Sequence, residues 1–216
     1  MFYRVVRYIV GKPISAMYRY RIEGREHLPR DGGYILAPSH RSMMDIPFSG
    51  WLVDGPVRYM GKQSAFAVPL LGPLFRKLGG FEVKRDGTDM KALREAIEML
   101  QGGEVLLVYP EGTRQHGAKI EALQPGAAYL ALRARVPIVP VALAGTEEIL
   151  RSHGTHVPRF GKVVAVIGEP IDPPELTTRA VPRAEVEALS VRLRDELQRL
   201  FDEANALRNG AAAAAG

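Results

Sequence analysis

The chain has 216 residues, 46% of them apolar and 25% charged, an ordinary globular composition that is long enough to bury a sizeable core in one domain. It has no cysteine, which excludes a disulfide framework, a thiolate zinc site and a cysteine nucleophile, and fits a reducing, cytoplasmic setting. The net charge of +5 is concentrated at one end, because residues 1–30 hold seven Lys/Arg against two Glu, a local +5 equal to the total.

No helix-turn-helix, zinc-finger or aromatic RNA-binding pattern accompanies this basic arm, so an anionic membrane surface is the expected partner and nucleic acid is not. Within it, Phe2, Val5, Val6, Ile9 and Val10 fall on one helical stripe with Arg4 and Arg7 elsewhere around the helix. Residues 1–20 thus read as an amphipathic membrane-surface helix region, or as a helix docked on the chain's own core. A bilayer span needs about 20 mostly apolar residues, and a signal peptide needs a small-residue cleavage site; neither is clear here.

Strand-like runs then alternate with helical patterns. The strands are expected at 34–38, 57–62, 81–85, 104–109, 136–143 and 163–168. Between the expected strands at 57–62 and 81–85, "FAVPLLGPLF" at 66–75 is ten residues without a charge, read as a buried loop, or else as the wall of an acyl-chain tunnel or a surface that touches lipid. "TDMKALREAIEMLQGG" places Met90, Leu93, Ile97 and Leu100 at helical spacing and ends on Gly, and "PGAAYLALRA" opens on a proline suited to a first turn. From Pro182 to Arg208, Val186, Leu189, Leu193, Leu197, Leu200 and Phe201 mark a long amphipathic helix. The expected fold is therefore α/β, a single domain over 21–208 with a mixed, mostly parallel sheet flanked by helices. Residues 209–216 read as a disordered tail.

Two polar clusters follow directly on apolar strands. "SHRSMMD" at 39–45 follows "GYILAP", and "YPEGTRQHG" at 109–117 follows "EVLLV". Sites in α/β sheets gather outside the carboxyl ends of strands, so His40, Asp45, Glu111 and Arg114 are expected around one crevice. Five residues on one helix turn two side chains about 140° apart, so His40 and Asp45 cannot share a helical face. His40 is expected before a helix, Asp45 in or just before its first turn, with Ser42 and Asp45 as a Ser-x-x-Asp start and Pro47 tolerable only there. Gly112 lets the backbone bend or approach a ligand, and Arg114 offers a planar fork suited to a phosphate. His116 reads as a loop histidine, and "HGTH" at 153–156 lacks surrounding ligands, so no metal is expected.

The ordered set of blocks resembles the glycerolipid acyltransferase superfamily over roughly residues 20–170, most closely its 1-acylglycerol-3-phosphate acyltransferases. His40 and Asp45 match the family's His-x-x-x-x-Asp block. Gly61, Lys62 and Arg85 match the second block, Glu111, Gly112, Thr113 and Arg114 the third, and "VPIVPV" at 136–141 the fourth. Two departures stand out: Ser39 where the family often has Asn, implying a different supporting hydrogen bond, and "KQSAF" where Lys-Glu-Leu or a relative is common, which bears on the acceptor headgroup.

The resemblance implies acyl transfer from acyl-CoA or acyl-carrier protein to the free hydroxyl of a lysophosphatidate-like lipid, on the cytoplasmic face of the membrane, with no cofactor beyond the thioester co-substrate. His40 is the implied general base, oriented by Asp45. Lys62, Arg85, Glu111, Gly112, Thr113 and Arg114 are the implied substrate-binding residues. A neutral histidine is chemically suited to this work near pH 7. The alternatives are another lysolipid or glycolipid acceptor, or a lipid-binding module without catalysis; the base-orienter pair argues against the second.

Overall fold

A computed structural model describes residues 12–62, 66–67, 69, 71–83, 89–149, 159–178 and 180–210. The stripe from Phe2 to Val10, Arg85, the "HGTH" histidines and residues 211–216 lie outside the described residues. In chain order the elements are α1 (Lys12–Met17), β1 (Arg21–Glu23), β2 (Tyr34–Pro38), α2 (Asp45–Gly50), β3 (Val57–Lys62), α3 (Leu71–Lys77), β4 (Gly80–Val83), α4 (Met90–Gln101), β5 (Val105–Leu107), α5 (Gly126–Ala134), β6 (Ile138–Ala144), α6 (Thr146–Ile149), β7 (Val164–Ile167) and α7 (Arg183–Asn209). The described strands form one sheet in the order β1-β7-β6-β2-β5-β3-β4. All neighbours are parallel except β6 with β7, so the expected mixed, mostly parallel sheet is what forms.

Alternation along the strands builds two cores. Ile35, Ala37, Leu106, Ile138 and Val164 face α4, α5 and α7. Tyr34, Leu36, Leu107, Val139 and Ala165 face the other way, with Tyr18, Phe48 and Leu52. Because both faces are covered, β2 and β6 are buried along their whole length and read as continuous apolar runs. The longest described helix, α7, buries Val186, Leu189, Leu193, Leu197, Leu200 and Phe201 at i, i+3, i+4 spacing.

Three elements differ from expectation. Strand β1 has only three residues, too few to leave a periodic signal, and owes its existence to parallel pairing of Arg21–Glu23 with Val164–Val166. Part of "FAVPLLGPLF" is helical: α3 contains Gly72 and Pro73, but the proline is in the first turn, where no amide donor is needed. In α4 the buried face is Ala92, Ala96 and Leu100, flanked by Leu93 and Ile97, whereas Met90 is 51% exposed. The small alanines let this helix lie close to the sheet.

The chain leaves β2 through α2 for β3, on one side of the central β2/β5 pair, and leaves β5 through α5 for β6 on the other. Helices α2 and α5 also lie on opposite faces. Connections that part in this way leave a crevice outside the carboxyl ends of the two strands.

Candidate active site

Both polar clusters open into that crevice, since Leu36 of β2 pairs with Leu107 of β5 and the two strand ends lie side by side. His40 Nδ1 lies 2.9 Å from Asp45 Oδ2. Helix α2 starts at Asp45, so the histidine stands before the helix and the aspartate in its first turn, as the five-residue spacing requires. The same Oδ2 accepts the backbone N–H groups of Arg41 and Ser42, each at 2.6 Å. A carboxylate oxygen with these donors is an acceptor, so Nδ1 carries the ring hydrogen and Nε2 keeps a lone pair.

The Ser-x-x-Asp start is only half realised. Asp45 reaches back to the Ser42 N–H, but the Ser42 hydroxyl accepts from Met44 N at 3.2 Å, and Met44 is the residue flanking the helix. The carboxylate that would only have capped a helix thereby holds the turn containing the histidine. Ser39, in the place where asparagine is common, accepts the Leu143 N–H on its hydroxyl at 3.0 Å, which ties the end of β2 to β6.

Glu111 grips the histidine from β5's side. Its Oε1 accepts the His40 backbone N–H at 2.7 Å, and its Oε2 lies 3.6 Å from Arg41 Nη2. The side chains of Arg41 and Glu111 are each 1% exposed. Burial pushes the Glu111 carboxyl above its usual range, against the lowering influence of the His40 N–H and the Arg41 guanidinium. Arg41 also donates from Nη2 to the Lys119 carbonyl at 3.0 Å and lies 4.9 Å over the Phe201 ring of α7. Asp45 Oδ1, Glu111 Oε2 and Arg41 Nε and Nη1 are buried without a hydrogen-bond partner among the described residues. Charges in such a place act on one another more strongly than in water.

The rest of the third block is a turn. Gly112 has φ +73°, a conformation that favours glycine, and its N–H bonds the Tyr109 carbonyl at 3.0 Å. Thr113, Arg114 and His116 are exposed. Gln115 N–H donates to the His40 carbonyl at 2.9 Å, so this exposed loop begins at the histidine's own backbone. The expected residues thus separate: Glu111 is buried behind His40, while Thr113 and Arg114 lie at the surface. In the second block, Gly61 is packed so closely that an added Cβ would sit 2.5 Å from Phe66 Cε2. Lys62 ends β3, and Arg85 is outside the described residues.

Residues 19–144 match the family described as Acyltransferase. The chain belongs to that family. The matched span holds the crevice, with His40, Asp45 and the Glu111–Arg114 turn. This acyltransferase is 28% identical over 187 residues to the 1-acyl-sn-glycerol-3-phosphate acyltransferase of Bacillus subtilis (strain 168), covering 85% of this chain and 90% of the relative. It is 30% identical over 162 residues to a 1-acyl-sn-glycerol-3-phosphate acyltransferase of Chlamydomonas reinhardtii, covering 74% of this chain but 48% of that longer protein. Among solved structures it is similar to the 1-acyl-sn-glycerophosphate acyltransferase PlsC of Thermotoga maritima, with a TM-score of 0.73, 28% identity, and coverage of 94% of this chain and 83% of that one. The family resemblance read from the four blocks is therefore correct.

Two residues beside His40 were absent from the sequence-based expectation, Arg41 and Tyr109. The Tyr109 ring stacks on His40 with centroids 4.0 Å apart and planes 23° apart. The signal for both was adjacency to a motif: Arg41 follows the histidine, and Tyr109 precedes the Pro-Glu-Gly-Thr-Arg turn.

Proposed function

We propose that this acyltransferase moves a fatty acyl group from acyl-CoA or acyl-carrier protein to the free hydroxyl of 1-acyl-sn-glycerol-3-phosphate, giving phosphatidic acid. The observation that carries the reading is the 2.9 Å contact of His40 Nδ1 with Asp45 at the joint exit of two parallel strands. The Nε2 lone pair of His40 accepts the acceptor's hydroxyl proton while its oxygen attacks the thioester carbonyl. The C–O bond forms, the C–S bond breaks, and the proton passes from imidazolium to the departing thiolate. Asp45 keeps the ring in the required tautomer and offsets the imidazolium charge. Exposed Arg114, with Lys62 and Arg85, is assigned to the acceptor phosphate, where a guanidinium fork suits the anion.

The relatives' names support the lysophosphatidate acceptor, and the buried ion cluster supports catalysis over binding alone, since retention of a lipid needs no base held by a carboxylate. No helix among the described residues is long and apolar enough to cross a membrane. The basic arm of residues 1–30 supports attachment at the cytoplasmic membrane surface. The test is an acceptor screen: purified protein with palmitoyl-CoA and a panel of lysophosphatidate, other lysophospholipids and glycolipids, with products read by mass spectrometry. Phosphatidate as the dominant product is expected. Dominant acylation of a phosphate-free acceptor would replace the headgroup assignment.

A further inference from the structure

Tyr109 is not in any of the four blocks, yet it is the residue whose ring covers the face of the histidine. Helix α2 holds both rings from one side. Asp45 and Ser49 are one turn apart on that helix, and side chains spaced i, i+4 project from the same face. Asp45 takes the His40 Nδ1 hydrogen at 2.9 Å, and the Ser49 hydroxyl accepts from the Tyr109 hydroxyl at 3.4 Å. The backbone adds a third tie, because the Tyr109 carbonyl accepts the Gly112 N–H and sets the turn that presents Glu111 to the His40 N–H. The two rings are thus stacked with centroids 4.0 Å apart and planes 23° apart.

We propose that Tyr109 is a positioning residue for the acyl-transfer step, holding the imidazole plane by stacking and stabilising the imidazolium that forms as the hydroxyl proton is taken. This rests on the reading of His40 as the base. The negative face of an aromatic ring attracts a cation placed over it, and a neutral imidazole gains much less from the same contact. The contact therefore strengthens as the reaction proceeds, which is the property that lowers a barrier. Burial raises the Tyr109 hydroxyl well above its ordinary value of 10, so the ring stays neutral throughout the working range. The other charged groups around the imidazole are Asp45 of α2, Glu111 of the turn and Arg41 of the histidine's own loop; the Tyr20 hydroxyl lies on the same side, bonded to the Phe48 carbonyl. Their charges are fixed when Tyr109 is changed to another neutral side chain, so an altered pH response reports on the ring.

The experiment compares Y109F, Y109M and wild-type protein with palmitoyl-CoA and 1-oleoyl-lysophosphatidate, following thiol release from pH 5 to 9. Y109F keeps the ring, and is expected to retain kcat within about twofold with an unchanged acidic limb. Y109M fills the volume without a ring. It is expected to lose about tenfold in kcat with KM within twofold, and its acidic limb is expected to move down by about half a pH unit, because loss of the ring disfavours imidazolium. An imidazole titration of His40 by NMR, assigned with H40A, reads the same shift in protein that need not turn over. A Y109M titration that superimposes on wild type, or equal kcat losses in Y109F and Y109M, would overturn the proposal. Undiminished turnover in H40A would instead remove the base assignment, and the NMR shift separates the two failures.

Discussion

Asp45 Oδ2 touches three donors at once: the His40 ring at 2.9 Å and the backbone N–H groups of Arg41 and Ser42 at 2.6 Å. One oxygen therefore both shapes the turn and fixes the tautomer of the ring that the turn presents. Substitution D45N puts a weaker, uncharged acceptor, or an amide donor, among these three hydrogens. We expect kcat to fall by about 10²- to 10⁴-fold with a smaller change in KM, the signature of lost base catalysis. A KM increase with kcat preserved would show that Asp45 serves substrate binding instead.

Glu111 supplies a pH signature of its own. Its folded-state titration is raised above the ordinary 4.5, so between that value and its raised one the folded protein binds more protons than the unfolded chain. Its contribution to stability is consequently full below pH 4.5 and is lost as pH rises through the raised value. The amide of E111Q cannot titrate. Urea unfolding of both proteins should show the stability of wild type relative to E111Q falling as pH rises above 4.5; a difference constant with pH would contradict the burial assigned to this carboxylate.

Arg41 joins three parts of the fold, through Glu111, the Lys119 carbonyl and the Phe201 ring. Removing one member of a buried ion pair strands the other, so R41M should destabilise the protein by about 3–5 kcal/mol in urea unfolding. R41K restores the charge but not the planar fork, and should recover little of the loss. The double variant R41M/E111Q should be more stable than the sum of the single losses, since neither charge is then left alone. Strict additivity would mean that the 3.6 Å approach contributes nothing.

Much of this was legible in the residues, and the parts that were not have physical reasons. Buried on both faces, β2 kept a continuous apolar run whose expected limits at 34–38 coincide with Tyr34–Pro38, and the expected strand at 57–62 coincides with Val57–Lys62. The placement of His40 before the helix and Asp45 in its first turn was legible because it is local, whereas their pairing was implied by the family resemblance. The reading of Glu111 as a substrate ligand missed its burial, since its partners His40 and Arg41 are some 70 positions away and are brought to it only by the pairing of β2 with β5. Arg41 drew no expectation for the same reason. The stack on Tyr109 depends on the relative height of two strand ends, which no periodicity encodes. In α4 the larger Met90 was expected in the stripe, but the space against the sheet suits the alanines.

Arg114 is exposed and precedes Gln115, whose N–H donates to the His40 carbonyl. An arginine–phosphate contact is a charge-assisted hydrogen bond, so R114A should raise the KM for lysophosphatidate by about 10- to 100-fold and leave the KM for palmitoyl-CoA within twofold. Steady-state kinetics varying each substrate in turn distinguishes them. Equal increases for both would take Arg114 away from the acceptor.

In the proposed reaction the Nε2 of His40 removes the acceptor's proton. Thiol release from palmitoyl-CoA in the presence of lysophosphatidate, measured for wild type and H40A after their circular dichroism spectra and melting curves have been matched, tests it most directly. H40A is expected to fold as wild type does, to bind lysolipid still, and to release thiol at least about 10²-fold more slowly. Equal release by the two proteins would contradict it.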